Sequence, residues 1–261
     1  MSSLLVIVIS FAVFMSIKTD QNPSRDLCNI AVLPIVGDII AYAGADGIPV
    51  EEKKPVSTNP DDLLAALHLA EKNPHMMGVL VRIDSSGGTL VASEIIANGL
   101  KRSSLPVVSM IRENGLSAAY LVATGAKTII ASPFSEVGSI GINMSYLEKT
   151  KKNEQEGLKF IELNSGKFKN YLNNNRNLTS EERNLIERDL KINHQYLVKL
   201  IAENRNLPIE QVEKLADGSF MPGSLALENK LIDQLGDIET ARAWFAKHLK
   251  IKPEEIIFCG L

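Results

Sequence analysis

The chain has 261 residues, of which 45% are hydrophobic, and its formal net charge is −3. This length allows one substantial hydrophobic core, or a single domain with a helical extension. The near balance of charge leaves no basic surface, so no nucleic-acid partner is expected. Neither the two cysteines, Cys28 and Cys259, nor the four histidines have metal-ligand spacing, so no metal or other cofactor is expected. The cysteines could pair in an oxidising compartment, but the sequence favours two unpaired thiols.

The N-terminal region differs from the rest of the chain. Residues 4–17, LLVIVISFAVFMSI, are apolar apart from two serines, and residues 1–17 carry no charged side chain. A membrane span needs about 17–25 apolar residues, so residues 1–20 are predicted to be a signal anchor or a signal peptide. An uncleaved anchor is favoured, because a basic n-region and an Ala-x-Ala site are both missing. Lys18 and Arg25 follow the segment, which by the positive-inside rule favours a cytoplasmic body.

Residues 21–29 are predicted to form a linker, and residues 30–261 a single domain. Strands alternate with helices over the first part of this domain, which predicts an α/β fold with a mainly parallel sheet. A helix over 61–73 is expected to be capped at Asn59 or Asp61. The predicted strands span 30–39, 77–84, 106–111, 127–132 and 158–163, and further helices span 90–103 and 117–126.

From about residue 179 the chain is predicted to be helical to its end. A capping box at Thr179 or Ser180, followed by glutamates, opens a long helix. Three shorter helical stretches follow, interrupted at Pro208, at Pro222-Gly223 and at Gly236. This helical part is expected to extend the α/β core.

Two turns carry residues that can do chemistry. Gly87 and Gly88 follow a predicted strand, and such a turn can point backbone N–H groups at an anion or an oxyanion. The alternative is a tight turn that binds nothing. Ser117 begins a helix, where a serine is either a helix cap or a nucleophile that needs a base.

A lysine that burial keeps neutral is one possible base. Lys167 and Lys169 flank Phe168 in a turn after the predicted strand 158–163. Alternation sends both lysines to the same side of an extended segment, so their spacing does not choose between them. Without a partner, both remain solvated loop lysines.

Four segments of the chain form an ordered set of short motifs. They are IDSSGG (83–88), GLSAAYLVATGAKTIIASP (115–133), EVGSIGI (136–142) and NSGKFKN (164–170). Taken together, they resemble the signal peptide peptidase A (protease IV) family of membrane-bound serine proteases. The resemblance extends from about residue 30 to about residue 245 and includes LADGSFMPGSLALENKLIDQLGD near the C-terminus. It implies a ClpP/crotonase-like fold of repeated β-β-α units.

The resemblance also implies which residues act. Ser117 matches the nucleophile of the family's SGGYY motif, and Lys169 matches the general base of its SG..KD motif. Gly87 matches the first glycine of SPGG, whose N–H belongs to the oxyanion hole. By analogy with the ClpP-like fold, the N–H of Ala118 is the second donor. Ser139 matches a hydroxyl that orients the lysine.

The chain departs from the family's motifs at four positions. Ser86 replaces a proline, Ala118 and Ala119 replace glycines, and Asn170 replaces an aspartate. Both members of the Ser-Lys pair are retained, so activity is expected, and the substitutions bear on substrate preference.

The function implied is a membrane-associated serine endopeptidase that hydrolyses small apolar peptides such as cleaved signal peptides. The implied assembly is a homo-oligomeric ring in which serine and lysine can come from neighbouring subunits. The catalytic domain is expected on the extracytoplasmic side, with the N-terminal segment in the cell membrane. Two alternatives stay open: a crotonase-type acyl-CoA enzyme, and a catalytically inactive scaffold or chaperone of the same family.

Overall fold

The computed structural model describes residues 28–42 and 57–260. The predicted anchor at 1–20 and most of the predicted linker lie outside the described residues. Among the residues that are described, no helix combines the length and apolar character needed to cross a membrane.

Strands and helices alternate through the first part of the chain, and helices dominate the second part. The strands are β1 (Ile30–Val36), β2 (Asp38–Ile39), β3 (Ser57–Thr58), β4 (Gly78–Ser85), β5 (Val107–Leu116), β6 (Thr128–Ala131), β7 (Glu136–Gly138), β8 (Phe220–Pro222), β9 (Gln234–Leu235) and β10 (Phe258–Cys259). The helices are α1 (Pro60–Lys72), α2 (Leu90–Lys101), α3 (Ala118–Ala123), α4 (Thr150–Gln155), α5 (Ser180–Arg205), α6 (Ile209–Leu215), α7 (Gly223–Glu228) and α8 (Ile238–Leu249), followed by a 3-10 turn at Pro253–Glu255.

The main sheet has the strand order β10-β1-β4-β5-β6-β9, and every neighbouring pair along this path is parallel. The end of β5 continues past β6 and pairs with β7, which in turn pairs antiparallel with β8. The prediction of an α/β fold with a mainly parallel sheet is therefore confirmed. The prediction that the chain is helical from about residue 179 to its end is wrong in part, because β8, β9 and β10 interrupt the helices and pair with the sheet. The carboxyl ends of β4 and β5 meet at one edge, which is where parallel sheets present their ligand sites.

Side chains of the central strands alternate between two apolar layers, as the period of a strand requires. On one face, Val79, Val81 and Ile83 pack in a large core with α1, α2, α3 and α5. On the other face, Leu80 packs in a smaller core with Phe245 of α8. Burying both faces explains why Val79, Leu80 and Val81 of β4 form a continuous apolar run.

The capping predictions are resolved by side-chain contacts. Asn59, not Asp61, caps α1, because its side chain accepts a hydrogen bond from the N–H of Asp62 at 3.0 Å. Thr179 caps α5 and forms a capping box with Glu182. Both helices begin where a side chain satisfies an N–H group that has no partner inside the helix.

The prediction of a strand over 158–163 is wrong. These residues belong to no strand, and Leu158, Ile161 and Leu163 are exposed. A strand needs a neighbour to satisfy its backbone, and none of the described strands pairs with these residues. The apolar residues of this segment therefore do not report sheet pairing.

The expectation of two unpaired thiols is also wrong. Cys28 and Cys259 form a disulfide with Cα atoms 5.2 Å apart. The parallel pairing of β1 with β10 places Ala31 opposite Cys259 and so brings the two cysteines together. They are 231 positions apart in sequence, so local sequence carries no signal of the pairing.

Candidate active site

Ser117 occupies a sharp turn between β5 and α3. Its backbone has φ 52° and ψ −122°, a region that residues other than glycine rarely enter. Its N–H donates to the carbonyl of Gly138 at 2.7 Å, which anchors the turn. Ser117 holds the N-cap position, yet its hydroxyl makes no capping hydrogen bond. The residue is half-buried, so the hydroxyl is neither committed to the helix nor fully solvated.

The turn at Gly87 and Gly88 lies directly against Ser117. A Cβ at Gly87 would lie 3.0 Å from the Cβ of Ser117 and 3.2 Å from the backbone nitrogen of Ala118. A Cβ at Gly88 would lie 2.0 Å from the carbonyl oxygen of Ile39. The two glycines therefore let three backbone segments meet around one serine.

Backbone N–H groups at this junction differ in whether they already donate a hydrogen bond. The Gly87 N–H donates to Oγ of Ser85 at 3.1 Å. The N–H groups of Gly88 and Ala118 donate to no acceptor within the described part of the chain. Because unpaired N–H groups are the donors that an oxyanion needs, this junction can stabilise negative charge.

Ser139 lies beside Ser117, because β7 runs along the end of β5 and pairs Gly138 with Leu116. Its N–H donates to the carbonyl of Ser219 at 2.8 Å, and its hydroxyl donates to the carbonyl of Gly218 at 3.1 Å. The hydroxyl oxygen keeps its lone pairs and can still accept a hydrogen bond from an amine.

Ser117 and Ser139 line one cavity of about 610 Å³, together with His194 and Asp217. The Nε2 of His194 lies 2.9 Å from the carbonyl oxygen of Ala216. Because a carbonyl only accepts, Nε2 carries the hydrogen, which leaves Nδ1 as an acceptor in the neutral ring. The remaining lining residues are Ser86, Gly88, Gly141, Ile142, Asn143, Ala216 and Gly218.

His194 and Asp217 are not among the residues that the sequence assigns to the site. The side chain of Asp217 accepts hydrogen bonds from the hydroxyl and the N–H of Ser219, which lower the pKa of this carboxyl. Asp217 lies within the C-terminal part of the family resemblance, which is the signal that points to it. His194 has no such signal, because only the packing of α5 brings it to the cavity.

The two candidate lysines have different surroundings. Lys167 forms an ion pair with Glu181 at 2.7 Å and lies over the ring of Phe168. The side chain of Lys169 is exposed and has no hydrogen bond or ion pair among the described residues. Lys169 is not among the residues that line the Ser117 cavity of the same chain. Its amine is thus available to another group, but the single chain does not bring it to Ser117.

Comparison with known proteins identifies the family in which this arrangement of residues occurs. A sequence profile described as peptidase family S49 matches residues 99–252. The protease candidate slr0021 of Synechocystis sp. is 33% identical over 196 residues, which cover 74% of this chain and 70% of that protein. Protease 4 of Salmonella typhi is 27% identical over 220 residues, which cover 83% of this chain and 35% of that protein. Serine protease SPPA, chloroplastic, of Arabidopsis thaliana is 29% identical over 215 residues, which cover 79% of this chain and 32% of that protein.

The profile and these relatives define the class of the protein as a protease. More particularly, the chain belongs to peptidase family S49, the signal peptide peptidase A family. The resemblance seen in the sequence is confirmed.

Proposed function

We propose that this chain is a membrane-associated serine endopeptidase that cleaves small peptides, such as signal-peptide remnants, with a Ser117–Lys169 pair. We assign its fold to the ClpP/crotonase-like class, with residues 30–261 as the peptidase domain and residues 1–20 as its membrane anchor. The alternation of strands and helices and the site at the carboxyl ends of β4 and β5 support this assignment.

The observation that carries the proposal is the conformation of Ser117. A serine held at φ 52° without a capping hydrogen bond is strained for no benefit to the helix. The same backbone presents the hydroxyl to a cavity, beside the unpaired N–H groups of Ala118 and Gly88. Strain, a free hydroxyl and free donors at one point are what a serine nucleophile requires.

The reaction follows from these groups. Neutral Lys169 removes the hydrogen of the Ser117 hydroxyl, and Oγ attacks the carbonyl carbon of the peptide. The Ala118 N–H and a donor of the glycine turn hold the oxyanion. The lysine ammonium then gives its proton to the leaving amine as the C–N bond breaks. Lysine then deprotonates a water, which attacks the acyl ester carbonyl, and the resulting ammonium returns its proton to Ser117 Oγ as the ester C–O bond breaks.

The family resemblance implies that Gly87 is the turn's donor in this oxyanion hole. In the folded chain the Gly87 N–H already donates to Ser85, whereas the neighbouring Gly88 N–H has no acceptor among the described residues. We therefore extend the proposed hole to the whole turn, with Gly88 as the donor that needs no rearrangement. Each such donor contributes about 3–4 kcal/mol to transition-state stabilisation in comparable sites.

We propose that Lys169 acts on the Ser117 of a neighbouring copy in a homo-oligomer. Its side chain is exposed and has no hydrogen-bond or ion-pair partner within residues 28–42 and 57–260, as expected for a residue that completes a site elsewhere. Ser139 then receives the amine, since its hydroxyl oxygen lines the same cavity and retains accepting capacity. An amine enclosed there loses water, which favours its neutral form.

The lining of the cavity bears on substrate preference. Most of the lining residues are glycine, serine or alanine, and Ile142 is the single large aliphatic residue among them. We propose that the substrate residue next to the cleaved bond is small, and that the apolar parts of the peptide lie outside this cavity.

The disulfide supports the extracytoplasmic location. Disulfides persist in oxidising compartments and are rare in the cytosol, and Cys28 and Cys259 are joined. This argues for a catalytic domain outside the cytoplasm, against the weak indication from Lys18 and Arg25.

A peptidase assay on the full chain tests the pair directly. In detergent, with a fluorogenic peptide that has a small residue before the cleaved bond, S117A and K169A are expected to abolish cleavage. K167A is the matched control, because Lys167 lies in the same turn but is paired with Glu181, and it should retain wild-type activity. Full activity in either S117A or K169A would refute the proposed pair.

Mixing separates a shared site from a self-contained one. When S117A and K169A are co-expressed, assemblies that contain both variants place an intact serine beside an intact lysine of another copy. Recovered activity is expected if the site is shared between copies. A mixture as inactive as the separate variants would contradict that arrangement.

A further inference from the structure

Lys169 is carried by a long segment without regular structure. Residues 156–179, all of which the structure describes, belong to no helix or strand. Within the turn, the Lys169 N–H donates to the carbonyl of Gly166 at 3.0 Å, which shapes the turn but does not attach it to the protein. Something else must hold this turn in place if its lysine is to act at a defined point.

The side chain of Arg176 holds several parts of this segment together through hydrogen bonds. Its Nε donates to Glu162 at 2.6 Å, and its two terminal nitrogens donate to the two carboxylate oxygens of Glu182 at 2.8 and 2.6 Å. One terminal nitrogen also donates to the carbonyl of Asn177, and the other to the carbonyl of Asn170, each at 3.3 Å. A guanidinium has five N–H groups, and all five have an acceptor here.

These contacts link the first turn of α5 to the residue next to Lys169. Glu182 lies in the first turn of α5 with its side chain 3% exposed, and its carboxylate also accepts the N–H of Thr179 at 2.9 Å. The other half of α5 packs into the main core through Leu197 and Ile201. The terminal nitrogen of Arg176 that donates to one Glu182 oxygen also donates to the carbonyl of Asn170, the residue directly after Lys169.

A second ion pair joins the same two parts of the chain but is solvated. The side chains of Lys167 and Glu181 are 65% and 60% exposed. Exposed pairs contribute little, because water screens the charges and two long side chains must be ordered. Arg176, with 26% of its side chain exposed and a bidentate partner that is buried, is the stronger restraint.

We propose that Arg176, held by Glu182, is a positioning residue that fixes the backbone at Asn170 and thereby the direction in which Lys169 projects. This inference rests on the proposed role of Lys169 as the general base. Arg176 does not touch the reacting atoms. It acts through the peptide unit next to the lysine, and it sets how often the amine occupies the geometry that proton transfer needs.

The test compares R176A and R176K with wild type and with R188A. Arg188 is the matched control, because it is 60% exposed and its one ion-pair partner among the described residues is its neighbour Asp189. R176A is expected to lower kcat about 10- to 100-fold with little change in KM, since misplacing a catalytic group by about 1 Å has an effect of this size. R176K keeps the charge but lacks the planar fork, so its kcat should lie between R176A and wild type.

Limited trypsin digestion gives a readout that does not depend on catalysis. Cleavage after Lys167 and Lys169 should accelerate in R176A, while R188A should match wild type at these bonds. If R176A fails to fold, R176K supplies both readouts.

The outcomes distinguish the two claims. If K169A is inactive, but R176A, R176K and R188A share wild-type kcat and the wild-type digestion pattern, the positioning role is overturned and the catalytic pair stands. If K169A has wild-type kcat, the pair itself is wrong and the positioning role is overturned with it. A loss of kcat in R176A accompanied by faster cleavage at the lysine turn supports the positioning role.

Discussion

Substituting Gly87 by alanine tests whether the site depends on three backbone segments meeting without a side chain between them. Gly87 has φ +120°, and an added Cβ would lie 3.0 Å from the Cβ of Ser117, 3.2 Å from the nitrogen of Ala118 and 3.2 Å from the carbonyl oxygen of Leu116. Two of these three atoms are backbone atoms at the junction of β5 and α3, so they cannot turn away. Each must move by a few tenths of an ångström, and the backbone of residue 87 is strained in addition.

The strain at such a position costs about 1–3 kcal/mol. For a chain of this size, that corresponds to a fall in Tm of about 2–12 °C. The displacement falls on Ser117 and on the Ala118 N–H. We therefore expect kcat to fall about 10- to 100-fold, which is more than the loss of folded protein alone would cause. Differential scanning calorimetry and the peptidase assay, both on the full chain, measure the two effects.

Gly260 provides the matched control. It also has a positive φ, +76°, but an added Cβ there would meet nothing within 4 Å. G260A should therefore lower the free energy of unfolding through backbone strain and leave kcat unchanged. If G87A and G260A have the same kcat, the reasoning that places the glycine turn against the nucleophile is wrong.

Three further predictions concern stability. Loss of the Cys28–Cys259 disulfide in C28S should lower the free energy of unfolding by up to ~5 kcal/mol, because the bond closes a loop with a sequence separation of 231; urea denaturation measures this. Hydrogen bonds from Arg176 lower the pKa of Glu182 from 4.5 to about 2. The stabilisation of residues 156–179 by this pair should therefore be complete above pH 4.5 and lost as the pH falls through about 2. Hydrogen exchange of residues 156–179, corrected for the intrinsic exchange rate, measures this loss. Tyr120 is fully buried and its hydroxyl donates to a backbone carbonyl at 2.8 Å, so Y120F should cost about 1–3 kcal/mol by thermal denaturation.

Each of these predictions has an outcome that contradicts it. Equal urea midpoints for C28S and wild type would mean that the disulfide does not constrain the chain. Protection of residues 156–179 that is already lost well above pH 4.5 would assign the transition to another group. An unchanged melting temperature in Y120F would mean that the carbonyl finds another donor once the hydroxyl is gone.

Much of the architecture could be predicted from local pattern. Apolar runs bounded by glycine, proline and asparagine predicted β1, β4 and β6, and the capping box at Thr179 predicted the start of α5. These features depend on neighbours within a few residues, so the sequence contains them directly. The failure at 158–163 shows the limit, because a short apolar segment becomes a strand only where the tertiary structure places a strand partner beside it.

The family was also determined by sequence alone, because its motifs occur as an ordered set of short segments. Tertiary structure decided which groups share the site. Only the pairing of β7 with β5 places Ser139 beside Ser117, and only the packing of α5 brings His194 to the same cavity. The disulfide between Cys28 and Cys259 likewise exists because β1 pairs with β10. Such contacts join residues tens to hundreds of positions apart, and no local preference encodes them, because they arise only when the whole core is packed.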